Sequence, residues 1–271
     1  MPKAPPTPGT PISRYRDGKK ARPEPVGMLI EGDSWFAFPM WLRTNIVAEL
    51  KNLNEDKIVQ LDLSASGDEA RQMLSGDEFA ELYRIMAQEN LQFDCILFSG
   101  GGNDIVSTNL PVLLNTYQAG DTWEDCLNMP RFRRRLQEIE NAYLDLADLR
   151  DDYQPDAWIF THAYDYAIPS GKGVRLLGLE AAGGWLKEVM DARNIPAILQ
   201  QEIVNHLLSE YDNLLIRLEQ THEKWRHVRT QGTLADDEWG DEMHPTTAGF
   251  KKVAAKFQAA LVEVFPKLPK A

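Results

Sequence analysis

Trp225–Thr230 reads as a short strand, and four further stretches are rich in apolar residues: Val26–Ile30, Ile58–Ser64, Phe93–Ser99 and Asp156–Thr161. Runs of that length and density predict strands buried on both faces, as in a parallel sheet. Between and after them the apolar positions recur at helical spacing. Ile46, Val47 and Leu50 predict a helix over 41–51, and Phe79, Leu82, Tyr83 and Met86 predict one over 77–88. Leu136, Ile139, Tyr143, Leu146 and Leu149 form one stripe of a charged helix over 131–151. Further helices are predicted over 185–192, 197–223 and 246–264, the last begun by the Pro245-Thr246-Thr247 turn. Asp68 is placed to cap the helix that follows the second strand. Strands alternating with helices indicate an α/β fold, a parallel sheet covered by helices on both faces. The segments 106–130 and 162–184 are loop-like insertions near the rim, either lids or variable surface.

A length of 271 residues supports a single domain, taken here as 26–271. Residues 1–25 are rich in proline and basic, and they predict a flexible arm. Such an arm either has no partner or docks onto another subunit or protein. It lacks the apolar core of a secretory signal, so the expected compartment is the cytoplasm. No apolar run approaches the roughly 20 residues of a membrane-spanning helix. The formal charge is −12, and the arm, with six Lys/Arg against two Asp/Glu, leaves about −16 on the body. A body so acidic repels phosphate backbones, which argues against a nucleic-acid partner. Two cysteines, Cys95 and Cys126, are too few for a disulfide framework or a zinc site, though one bridge between them is compatible with the sequence.

The first predicted strand runs into Gly32-Asp33-Ser34, which sets a hydroxyl at a strand tip, where open α/β sheets bind ligands. Alone, this reads equally as a βα turn with Ser34 capping a helix. A serine hydroxyl needs an adjacent base to act as a nucleophile. Of the five histidines His244 has the most telling neighbour, Asp241, within one turn of chain. That spacing lets a carboxylate hold the imidazole Nδ1 proton and leaves Nε2 for Ser34. A third unusual stretch is Gly100-Gly101-Gly102-Asn103-Asp104. Asp33 and Asp104 are read as holding the turns that present Ser34 and Asn103.

Gly-Asp-Ser, Gly-x-Asn-Asp and Asp-x-x-His, in this order over nearly the whole chain, resemble the blocks of the SGNH hydrolases, also called the GDSL esterase/lipase family. The resemblance implies a three-layer α/β/α sandwich of flavodoxin-like type around a mainly parallel five-stranded sheet. It implies a serine esterase acting through an acyl-enzyme, with Ser34 as nucleophile, His244 as general base and acid, and Asp241 orienting His244. The oxyanion would be held by the Ser34 N–H, the Gly67 N–H and the Asn103 side chain. No metal or other cofactor is required, and the substrate would be a small-molecule or glycan ester. Trp35 stands where the family's name-giving motif has leucine. With Phe36, Phe38 and Trp41 it either lines an apolar or sugar-stacking pocket or packs in the core. His162 falls at a strand end and is a candidate substrate contact, whereas His206, His222 and His227 read as ordinary structural residues. The run Arg133-Arg134-Arg135 reads as a solvated face. Two competing functions stay open: an inactive member used as a binding module, with a homo-oligomer or partner contact through the arm, and a phosphate or nucleotide site on a flavodoxin-like sheet. The latter lacks the Lys-Ser/Thr of a P-loop.

Overall fold

The five predicted strands pair into one sheet in a computed structural model of the chain, which describes residues 10–22, 24–106, 109–176, 179–182 and 184–270. The strands are β1 (Val26–Gly32), β2 (Ile58–Asp62), β3 (Cys95–Ser99), β4 (Trp158–His162) and, after a hairpin of β5 (Val174–Leu176) and β6 (Leu179–Ala182), β7 (Trp225–Val228). Their order is β2-β1-β3-β4-β7, with every neighbouring pair parallel. Every residue of β1 and β3 is buried, the condition that selected their continuous apolar sequences.

Eleven α-helices occur among the described residues: α1 (Pro11–Ala21), α2 (Ser34–Ala37), α3 (Ile46–Asn54), α4 (Ala70–Met73), α5 (Gly76–Tyr83), α6 (Gly102–Ile105), α7 (Leu110–Leu113), α8 (Met129–Tyr153), α9 (Lys187–Asp191), α10 (Ala197–Thr221) and α11 (Thr247–Val264). Helices α3 and α11 pack together on one side of the sheet, and α4, α8 and α10 on the other. The helix predicted over 41–51 starts only at Ile46, because Asn45 caps it by accepting the Ala48 N–H at 2.8 Å. The helix predicted over 77–88 is α5 followed by a single wider π-type turn over Arg84–Gln88. Strand β2 stops at Asp62, whose carboxylate binds both the N–H and the hydroxyl of Ser64 at 3.1 and 2.6 Å. The β5–β6 hairpin was not expected from its sequence. Both cysteines are free and buried. No helix among the described residues is long and apolar enough to cross a membrane.

The expectation of a flexible arm over 1–25 is corrected for residues 11–21, which form α1; residues 1–9 lie outside the described residues. Thr10 caps the helix, and its anchor is Tyr15, 1% exposed, whose hydroxyl donates to the Gln92 carbonyl at 2.7 Å. A Cβ at position 27 would lie 2.1 Å from that hydroxyl, so glycine there makes the docking possible. Three basic residues of α1 and its end face acids of the body: Arg16 with Glu89 at 3.0 Å, Lys19 with Asp94 at 3.4 Å, and Arg22 with Asp56. Part of the arm's positive charge is therefore matched within the chain. One aromatic among charges gives too narrow a stripe for periodicity to reveal.

The arginine run is likewise not wholly solvated. Arg135 donates to the Asp104 carbonyl at 2.6 Å and pairs with Glu138 at 3.1 Å. The 106–130 segment packs sideways, with Tyr117 N–H on the Arg193 carbonyl at 2.9 Å and Trp123 against His206 at 4.6 Å between ring centres.

Truncating Tyr15 to Ala should cost about 3 kcal/mol through the cavity and the lost hydrogen bond. A urea midpoint unchanged from wild type would mean α1 does not contribute to the fold. Glu31, at the buried end of β1, gives a second test. Burial first, and then Asp68, Glu78 and Asp62, push its carboxyl up from 4.5 to about 8. Between those values the folded chain keeps a proton that the unfolded chain has released. Its stabilisation is complete below pH 4.5 and lost as the pH rises towards 8. Glu31→Gln should melt higher than wild type at pH 8 and no higher at pH 4.5.

Candidate active site

The site forms where β1 lies between β2 and β3, the point at which successive connections leave the sheet in opposite directions. Gly32 ends β1 against Ser99; a Cβ there would meet the Ser99 Cβ at 2.8 Å. Asp33 then caps α2 by accepting the Trp35 N–H at 3.0 Å, which leaves Ser34 at the head of the helix. The other bonds of Asp33 run inward, accepting from Ser99 Oγ at 2.9 Å and Tyr164 OH at 2.5 Å. Ser99 Oγ in turn meets His162 Nε2 at 2.8 Å, while His162 Nδ1 accepts the Tyr164 N–H at 3.3 Å. That pattern fixes His162 as a neutral ring with its proton on Nε2. Burial, assisted by His227, holds its pKa down to about 3. Burial lifts Asp33 to about 6, against the hydrogen bonds from Tyr164, Trp35 and Ser99.

His244 comes from the loop between β7 and α11, just before Thr246, which caps α11. Its Nδ1 lies 2.8 Å from Asp241 Oδ1, and its Nε2 lies 2.7 Å from Ser34 Oγ. With the Nδ1–H donating to Asp241, Nε2 is the acceptor and the Ser34 hydroxyl the donor. Asp241 Oδ1 also accepts the N–H groups of Met243 and His244 at 3.0 and 2.9 Å. Burial would raise the Asp241 carboxyl, but His244, Arg43 and the Met243 N–H outweigh it and hold it below its usual value. The structure thus joins Ser34, His244 and Asp241 in one hydrogen-bonded line.

Asn103 reaches the same place through the triple glycine. Gly101 has φ +116°, and a Cβ there would lie 2.7 Å from the Tyr211 ring; one on Gly102 would lie 2.8 Å from Tyr164. Only glycine lets β3 end against these two tyrosines. Asp104 ties the turn to α4, accepting the Ala70 N–H at 2.7 Å and pairing with Arg71 Nε at 2.8 Å. Asn103 Nδ2 donates to the Asp68 carbonyl at 2.9 Å, which uses one of its two amide hydrogens. Asn103 and Gly67, φ +100°, both line a cavity of about 230 Å³ that also contains Ser34 and His244.

Three anticipated substrate contacts are not there. Trp35, 2% exposed, is a core residue whose indole N–H donates to the Met243 carbonyl at 3.0 Å and so steadies the His244 loop. Phe36 is fully buried against His162 and Phe257. His162 is fully buried beneath the nucleophile turn, as above. Phe38 packs 4.7 Å from the His244 ring, and Trp41 is 70% exposed. The cavity wall is completed instead by Ser66, Glu69, Trp185 and Met243. Trp185 follows the β5–β6 hairpin, whose two stems are pinned by one buried carboxylate. Glu242 accepts the N–H groups of Gly171, Leu186 and Lys187 at 2.7, 2.8 and 3.0 Å. Arg43, also missed, donates to Asp241 Oδ2 at 2.7 Å. None of these residues has a local sequence signal, because each joins the site through a loop set by long-range packing. Among the described residues the cavity wall carries a carboxylate and no lysine or arginine, which disfavours a phosphate site.

No protein-family model and no curated protein matches the sequence. Solved structures do match. The lipase Lip_vut3 from a goat rumen metagenome is 13% identical, with 87% of this chain and 97% of that chain covered at a TM-score of 0.54. An extracellular lipase from Streptomyces rimosus is 14% identical, with 87% and 99% covered at a TM-score of 0.53. At such identities the likeness is one of fold: the chain shares the α/β fold of these two lipases.

Proposed function

We propose that the protein is a serine esterase that cleaves small carboxylic esters through an acyl-enzyme. The observation that carries this reading is the continuous line from Ser34 Oγ through His244 to Asp241, at 2.7 and 2.8 Å, opening into a cavity that Asn103 and Gly67 face. Ser34 Oγ attacks the ester carbonyl while its proton passes to His244 Nε2. Asp241 stabilises the imidazolium without taking its proton. The Ser34 and Gly67 N–H groups and the Asn103 amide receive the negative oxygen of the tetrahedral intermediate. His244 then protonates the leaving alcohol, and water, deprotonated by the same imidazole, releases the acid and restores Ser34.

The cavity suggests which esters fit. At about 230 Å³ it falls below the roughly 300–1,000 Å³ of pockets that take drug-sized ligands, which favours a short acyl group. Glu69 on its wall disfavours an anionic one.

Wild type should label with a fluorophosphonate probe and hydrolyse p-nitrophenyl acetate, and Ser34→Ala should do neither. Labelling that survives the substitution would identify another nucleophile, and a wild type that neither labels nor turns over would support a binding module. Asp241→Asn should lower kcat by about 10⁴, and Asn103→Ala by about 10²–10³. Across p-nitrophenyl esters, kcat/KM should fall steeply from acetate to octanoate; a rise would contradict the small cavity.

A further inference from the structure

Arg43 lies between α2 and α3, on the segment that follows the nucleophile, yet it meets the relay at its far end. Its Nη1 donates to Asp241 Oδ2 at 2.7 Å, with the arginine side chain 17% exposed and the aspartate side chain fully buried. The position is built for it. A Cβ at Gly240 would lie 2.2 Å from Nη1 and 2.3 Å from Cζ, so glycine at 240 leaves the space that the guanidinium fills. The guanidinium also sits 5.1 Å from the centre of the Phe38 ring, and that ring in turn packs 4.7 Å from the ring of His244. The same Nη1 reaches the Pro245 carbonyl at 3.5 Å. One side chain therefore touches the segment that carries the nucleophile and the loop that carries the base.

Two consequences follow from elementary electrostatics. Asp241 has one oxygen on the imidazole and the other on a cation, so the carboxylate cannot rotate away without breaking a charge-assisted bond. Because arginine does not lose its proton, the cation is permanent. We propose that Arg43 is a positioning residue of the Ser34–His244–Asp241 relay, one that locks Asp241 through its second oxygen and so holds His244 in line with Ser34. This rests on the esterase reading above.

Other charged groups face the relay and must be separated from Arg43. Asp33, buried at the head of α2, interacts with His244 through its charge. Glu69 stands on the cavity wall, with Arg71 at 2.7 Å from its carboxylate. Glu242, on the relay's own loop, is bound by three backbone N–H groups of the hairpin stems, while Lys172 Nζ donates to the Trp239 carbonyl at 2.9 Å. All of these remain unchanged when Arg43 alone is replaced. Among the described residues Arg43 is the one arginine or lysine bonded to Asp241.

The test is kcat and KM for p-nitrophenyl acetate in wild type, Arg43→Lys, Arg43→Gln and Arg43→Met, each checked for a wild-type-like far-UV spectrum and cooperative melting. Arg43→Gln and Arg43→Met should lower kcat about 10–100-fold, the scale on which a misplaced reacting group loses rate, with KM changed less than about twofold. Arg43→Lys keeps the charge without the fork and should recover part of kcat. A kcat in Arg43→Gln within about twofold of wild type, or a loss that falls on KM instead, would overturn the proposal. If Arg43→Met fails to fold, the Gln and Lys pair carries the comparison. The nuclear magnetic resonance signal of the His244 Nδ1 proton in wild type and Arg43→Gln separates this inference from the esterase reading. A signal that shifts or is lost to solvent exchange in the variant supports the inference even if no ester is turned over, and an unmoved signal sinks it even if wild type is a good esterase.

Discussion

The Asp33 carboxylate is the fixed point on which the site is assembled. It lies buried where three strands of the sheet end, and each of its bonds reaches a different one. The Trp35 N–H secures the turn after β1, Ser99 Oγ the end of β3, and Tyr164 OH the segment after β4. Tyr164 extends the same tie, since its hydroxyl also accepts the Gly102 N–H at 3.2 Å, one residue before Asn103. The hydroxyl that would attack and the amide that would hold the resulting charge are thus referred to a common point. Such preorganisation is what stabilises developing charge without reorganisation during the reaction. The cost is a buried carboxyl whose pKa is raised to about 6, tolerable because every donor around it is satisfied.

A second buried carboxylate does for His244 what Asp33 does for Ser34. Asp241 closes its own loop through the Met243 and His244 N–H groups and is fastened outside by Arg43. The two halves meet through Trp35, whose indole reaches the Met243 carbonyl. A tryptophan directly after Ser34, where the motif it resembles has leucine, therefore has a structural explanation. It spans from the Ser34 turn to the histidine loop, a distance that a leucine has no polar group to bridge.

How much of this was legible in the sequence follows from the range of the interactions. Strands β1 and β3 were readable because burial on both faces demands unbroken apolar runs, and α8 because its stripe is long. Ser34, Asn103, Asp241 and His244 could be singled out because each sits in a short stretch of unusual composition, whereas the long-range bonds that bring them to one cavity leave no local mark. Helix α1 was hidden because one residue, Tyr15, supplies its docking. His162 and Phe36 were misplaced for a related reason. A strand-end residue looks site-facing, but only the packing of α11 and the aromatic layer around Phe257 decides which side of the turn it takes. Arg43, Glu69 and Trp185 lie on loops whose course is set by partners far along the chain, so nothing near them in sequence announces them.

The loops around the cavity share one device, and it explains how a site made almost entirely of connections can hold its geometry. Asp33, Asp104, Asp165, Asp241 and Glu242 are all buried, and each accepts backbone N–H groups near the carboxyl ends of the strands. A carboxylate so placed satisfies donors that a loop cannot pair by itself, and binds them more strongly than a neutral acceptor would. Asp165 alone takes the N–H groups of Tyr166, Gly232, Thr233 and Leu234 at 2.6–2.8 Å, joining the segment after β4 to the one after β7. The acidic balance of the chain thus has an internal as well as an external part. Some of its carboxylates face solvent, but those at the sheet's carboxyl edge act as anchors for the loops that surround the cavity.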